Sequence, residues 1–227
     1  MFRTKLKDRI LPIYTRGEEI FNMTSHIVGG ALGLAALALC VIFAAIYGDA
    51  YAVVSSSIYG FTIILLYTMS SIYHGLKPER PSKKVFQVLD HCSIFLLIAG
   101  SYTPFCLVTL REQDGATGWW IFGIIWAMAL IGIALNSIDI KKFKLVSMIC
   151  YLVMGWCIVL KINLLPGPLG IGGMTFLVTG GVSYTIGAVL YALGKRNKKL
   201  YVHSIFHVFV VIGTILHFFC IFFYVIQ

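Results

Sequence analysis

Charge is scarce in this chain. Of its 227 residues, 12% are Asp, Glu, Lys or Arg, while 59% are hydrophobic. An ordinary soluble domain is about 25% charged and about 45–50% apolar. So few polar groups cannot cover a surface that faces water. A soluble enzyme, a disordered tail and a disulfide-rich secreted module are therefore excluded, and the membrane class is left. Paired cysteines are also missing. Cys40, Cys92, Cys106, Cys150, Cys157 and Cys220 form no C-x-x-C and all sit in apolar runs, where they read as small apolar side chains. Two-residue alternation is absent, which excludes a membrane barrel. No internal repeat, low-complexity tract or linker divides residues 1–227, so the chain reads as one domain.

The sequence does contain seven long apolar runs, at approximately 27–47, 51–74, 85–110, 118–136, 143–162, 169–193 and 200–226. Each matches the roughly 20 residues that a spanning helix needs. The expected fold is an all-α integral membrane protein, a seven-transmembrane helix bundle. The first run is too long for a signal-peptide core, and no small-x-small cleavage pattern follows it, so it reads as a retained helix. Sixteen of the eighteen Lys and Arg residues fall before the first run or in the second, fourth and sixth loops; only Arg111 and Lys161 fall on the other side. The positive-inside bias then predicts a cytoplasmic amino terminus, a carboxyl terminus outside, and a multi-pass protein of the plasma membrane. The net charge of +9 is mostly this bias and suits an anionic inner leaflet. It calls for no nucleic-acid partner.

Short loops make spans two and three, and spans six and seven (through Gly194–Lys199), antiparallel hairpins. In the sixth span Gly173, Gly180, Gly187 and Gly194 recur every seven residues, nearly on one helix face. Such a seam lets a second backbone approach, and tight helix packing is its reading; Gly29 and Gly33 read the same way. Pro104 should kink span three or open a gap in it. Trp119 and Trp120 look like interfacial anchors.

Ionisable groups inside a membrane are costly and are functional candidates by default. They are His26, His74, Asp90, His91, His203, His207 and His217. His203 and His207 are spaced i, i+4, on one helix face one turn apart, the usual helical spacing for two metal ligands. Span order places His74 and Asp90 at a similar depth on the cytoplasmic side. Three neutral imidazoles with one open position are the catalytic zinc pattern. Asp90 is either a fourth ligand, which closes the site, or a general base beside it, which keeps the site open. Ser70, four residues before His74, either orients water or a substrate oxygen, or bonds to its own i−4 carbonyl. His217 lies about 21 Å beyond His203 along the helix at about 1.5 Å per residue, too far to share that ion. His91 points about 100° away from Asp90. His26 reads as an interfacial or capping histidine.

These residues also form a recognisable set. Glu19-x-x-Asn22-x-x-Ser25-His26, Ser70-x-x-x-His74, Asp90 followed by Gly100-Ser101-Tyr102-Thr103-Pro104, and His203-x-x-x-His207 occur in this order on these spans. In this the chain resembles the hemolysin III family, the bacterial branch of the progestin and adipoQ receptor superfamily. The resemblance implies a zinc-dependent membrane hydrolase, akin to alkaline ceramidases, with a link to membrane homeostasis. It implies that His74, His203 and His207 bind zinc, that Asp90 contacts the ion or its water, and that Ser70 lies close by. The long amino-terminal extension of the animal receptors is missing, so no protein hormone is expected as a partner; membrane lipids are.

Three function classes follow. The first is a zinc-dependent amide or ester hydrolase acting on a lipid. The second is a non-catalytic membrane-state regulator with a structural zinc. The third, a pore-forming haemolysin, is disfavoured because the outer halves of the spans are apolar. A rhodopsin-type photoreceptor is disfavoured because span seven has no lysine for a Schiff base.

Overall fold

The structure is a computed structural model that describes residues 4–196 and 200–226. Arg3, Lys198 and Lys199, and with them part of the predicted sixth loop, lie outside the described residues. Among the described residues there is no strand. Six helices among the described residues are long and apolar enough to cross a membrane: α1 (Arg16–Tyr47), α2 (Ala50–Gly75), α3 (Pro81–Gln113), α4 (Gly115–Leu164), α5 (Pro166–Gly194) and α6 (Val202–Ile226).

Helix α1 starts well before the predicted Ile27. Thr15 accepts from the Glu18 backbone N–H, and the Glu18 carboxylate accepts from the Thr15 backbone N–H at 2.8 Å, a reciprocal capping box. Thr15-x-x-Glu18 was readable in the sequence. Helix α3 starts on Pro81, where a missing N–H costs nothing. Its second proline, Pro104, is followed by a wider π-helical stretch, Phe105–Leu110, in which the Arg111 N–H reaches back to the Cys106 carbonyl.

Helix α4 is interrupted. Asp139 has extended backbone angles, φ −162° and ψ 102°. Ser147 Oγ donates to Asn136 Oδ1 at 2.6 Å, and Asn136 Nδ2 donates to the Tyr151 hydroxyl at 3.2 Å. Along a straight helix those pairs would stand about 16 and about 22 Å apart. The chain therefore folds back at Asp139 into two antiparallel arms, residues 115–138 and 140–164.

Around the bundle α1 packs on α2, α2 on α3, α3 on α4, α5 on α6, and α6 on α1. Only α4 and α5 meet thinly. Helix α3 is the most enclosed of the six. Leu130, Leu160 and Ile171 are among many large apolar side chains exposed on the outside, as suits contact with lipid. The α5 glycines are where α6 presses in: Gly173 on Tyr224, Gly180 on the His217 ring, Gly187 on Phe209 and Gly194 on Val202. Gly29 and Gly33 of α1 receive Tyr67 and Ile63 of α2 in the same way.

One end of the bundle is crossed by the segment preceding α1. The Thr4 N–H donates to Asp139 Oδ2 at 3.3 Å. The Arg9 guanidinium donates to the carbonyls of Ile138 at 2.8 Å and Ser137 at 3.2 Å. The Thr4 side chain and the backbone N–H groups around the break hold the Asp139 carboxyl below the usual carboxylate range. At the opposite end Arg111 bridges to Asp49 at 2.7 Å and lies over the Tyr51 ring.

Candidate metal centre

The end of the bundle under the amino-terminal strap holds three imidazoles. His74 is in the last turn of α2; His203 and His207 are in the first two turns of α6. Helix α6 is fixed in place by Tyr67 OH donating to Thr214 Oγ1 at 2.8 Å and by Ser204 Oγ donating to Asn22 Oδ1 at 2.7 Å. The Tyr201 N–H, at a left-handed turn just before α6, donates to Glu18 Oε1 at 2.8 Å. As a result Nε2 of His203 lies 3.3 Å from Nε2 of His74 and 3.1 Å from Nε2 of His207. All three ligand atoms lie within 4.8 Å of one another, so the group could hold a metal ion.

The other side of His74 is anchored. Its Nδ1 lies 2.6 Å from Glu19 Oε2, and Glu19 Oε1 lies 2.7 Å from the Lys83 ammonium. Lys83 is 1% exposed and also donates to the Leu76 carbonyl at 2.7 Å. A carboxylate on Nδ1 keeps the ring proton there and leaves the Nε2 lone pair pointing at the other two rings. Tyr14, the last aromatic before α1, stacks on His203 at 5.2 Å and meets the edge of His74 at 5.6 Å.

The remaining candidates lie deeper. Asp90 is buried, about 13 Å along α3 from its first residue at about 1.5 Å per residue. His74, by contrast, is next to the end of α2. Among the described residues Asp90 is not a fourth member of the 4.8 Å group, although it lines the cavity that the group opens into. Ser70 is 1% exposed, and its Oγ has no hydrogen-bond partner among the described residues. The back-bond to its own i−4 carbonyl is not made, whereas neighbouring Ser71 makes one to Tyr67 at 2.7 Å. His26 does not cap α1, which Thr15 does. His26 is buried with its ring stacked on His207, centroids 3.7 Å apart, and neither ring nitrogen has a hydrogen-bond partner among the described residues. The early start of α1 places it two to three turns inside the helix. His91 donates to the Gln87 carbonyl of its own helix at 2.9 Å. His217 stays outside the trio, as its distance along α6 predicted, and donates to the Leu177 carbonyl at 3.2 Å.

A cavity begins at His203, His207, Ser70 and Asp90 and runs along the inside of the bundle to His217. Its remaining wall is mainly apolar side chains of α3, the second arm of α4, and α5. The thin contact between that arm and α5 is bridged by Trp156 Nε1 donating to Thr185 Oγ1 at 2.9 Å and by Lys144 over the Tyr191 ring. Sequence reading missed Glu19, Lys83 and Tyr14 as neighbours of the histidines. Glu19 had a signal, as the first residue of the motif ahead of the first span. Tyr14 had none.

Residues 14–218 match the family described as Haemolysin-III related. The chain is 39% identical over 209 residues to Hemolysin-3 of Bacillus cereus, covering 92% of each protein. It is 37% identical over 215 residues to a Hemolysin-3 homolog of Bacillus subtilis (strain 168), covering 95% of this chain and 98% of that one. A human protein, Monocyte to macrophage differentiation factor, is 27% identical over 178 residues, 76% of this chain and 71% of its own length.

Proposed function

This chain belongs to the haemolysin-III related family of membrane proteins, and on that premise we propose that it is a zinc-dependent hydrolase of the plasma membrane that cleaves an amide or ester linkage in a lipid. The observation that carries this is the trio. In a tetrahedral site with Zn–N bonds of about 2.0–2.1 Å, neighbouring ligand atoms are about 3.3–3.4 Å apart. Nε2 of His203 stands 3.1 Å from that of His207 and 3.3 Å from that of His74, close to that spacing, and a cation among the three rings would accept a lone pair from each. His74, His203 and His207 would hold the ion. Among the described residues the group within 4.8 Å has three members and does not include Asp90, which favours an open site over a structural staple.

A zinc ion in that place supplies a Lewis acid and brings the pKa of water down toward neutrality. The protein's own residues do the rest. Asp90, on the adjoining wall, takes a proton from the attacking water and returns it to the leaving nitrogen or oxygen. The Ser70 hydroxyl is free to orient the substrate carbonyl or the water. The apolar cavity takes the hydrocarbon of the lipid and keeps bulk water away. Tyr14 and the strap cover the histidines from the end of the bundle, so access runs through the thin wall between α4 and α5, from the bilayer. The two arms of α4 count as two spans in this reading, which gives seven, with the basic end and the histidines toward the cytoplasm and the carboxyl terminus outside.

Elemental analysis of purified protein tests the reading first. It should give about one zinc per chain, and His203→Ala/His207→Ala should give none. Well-folded wild type without metal would refute it. Asp90→Asn should then keep the metal and lower lipid turnover by about 10²–10⁴-fold; full turnover in that variant would remove Asp90 as the base.

A further inference from the structure

We infer that Glu19, held by Lys83, is the positioning residue of the metal centre: it sets which nitrogen of His74 faces the ion and strengthens that nitrogen as a ligand. The inference rests on the metal reading above. His74 is the one member of the trio contributed by α2, and it has no i+4 partner on its own helix to fix its direction. Its direction comes from Glu19, one turn into α1, through the 2.6 Å contact to Nδ1. A contact this short is the charge-assisted kind. Glu19 is itself not free to turn away. Its other oxygen is taken by the Lys83 ammonium at 2.7 Å, and Lys83 is buried, fastened to the Leu76 carbonyl and set over the Tyr73 ring. Three helices thus meet at one carboxylate: α1 supplies it, α2 receives it on His74, and α3 locks it.

The chemistry of this arrangement is specific. An imidazole whose Nδ1–H is given to a carboxylate presents Nε2 only, and part of the negative charge is passed to the ligand atom. Lys83 balances that carboxylate, so no uncompensated charge is buried when the ion is absent. The pair also accounts for two costly groups at this end of the bundle, a buried lysine and a half-buried glutamate, which the hydrolytic chemistry itself does not use.

The test is metal affinity, measured by competition of the full-length protein in detergent against a chromophoric chelator, with zinc and then with cobalt(II). Glu19→Ala should weaken binding by about 10–100-fold and shift the visible bands of the cobalt form, because His74 is freed to rotate. Glu19→Gln keeps an acceptor for Nδ1–H but not the charge, and should fall between Glu19→Ala and wild type. If Glu19→Ala fails to fold because Lys83 is left without its anion, Glu19→Ala/Lys83→Met removes both charges together, a change that buried pairs often tolerate, and should show the same loss of affinity. Wild-type affinity and an unchanged cobalt spectrum in whichever of these folds would overturn the role of Glu19 while leaving the metal site standing. Absence of metal in the wild type would instead overturn the metal reading itself.

Discussion

Helix α5 has two faces that behave in opposite ways. On one, Gly173, Gly180, Gly187 and Gly194 leave no room for a side chain, and α6 lies against the backbone. On the other, Gly181, Tyr184, Thr185 and Ala188 look into the cavity, and the second arm of α4 is reached by few contacts. The tight face holds the helix that carries His203 and His207. The loose face borders the space in front of them. The firm face backs the helix whose two imidazoles lie 3.1 Å apart, and the compliant face borders a mainly apolar cavity.

Neighbouring residues can break this contrast. Gly180→Ala puts a methyl group into the His217 ring, and overpacking of this kind should lower stability by about 1–3 kcal/mol. Thermal unfolding in detergent reads that loss, and an unchanged midpoint would mean that the seam is not tight. Trp156→Phe deletes the N–H that reaches Thr185 across the loose wall, at a cost of about 0.5–1.5 kcal/mol. Because this is one of the few ties between α4 and α5, labels placed on the two helices should also separate more widely by electron spin resonance. Gly181→Ala, one position from the seam, meets only Trp156 at 3.6 Å, an ordinary contact. It should be neutral, or stabilising by up to about 1 kcal/mol through the loss of glycine freedom. Equal damage from Gly180→Ala and Gly181→Ala would erase the distinction between the two faces.

Much of this was legible in advance, for identifiable reasons. Apolar runs mark helices because membrane length sets their size, and the seven-residue glycine step marks a packed seam because it returns to one face. The i, i+4 step of His203 and His207 aligned two imidazoles without any knowledge of the fold. Depth was harder. A helix that begins at the first apolar run makes His26 a capping residue, whereas the Thr15 capping box starts α1 at Arg16 and leaves His26 inside it. Asp90 lines the same cavity as His203 and His207, as span order alone suggested, although α3 begins at Pro81, four residues before the expected Val85. The fold-back at Asp139 falls in the basic loop expected between residues 136 and 143, and it turns at an extended residue between two helical arms. Glu19, Lys83 and Tyr14 reach His74 only through tertiary packing, and no periodicity along the chain reports that.

The link between Glu19 and His74 also has a consequence in time. His74 and His203 are 129 residues apart. At about 5–20 residues per second of synthesis, the ribosome needs on the order of ten seconds to get from one to the other. Glu19, by contrast, is made before His74, and Lys83 follows directly after it. One third of the cluster is therefore aimed while the rest is unwritten, and the last helix to enter the bundle finds its first partner already facing it.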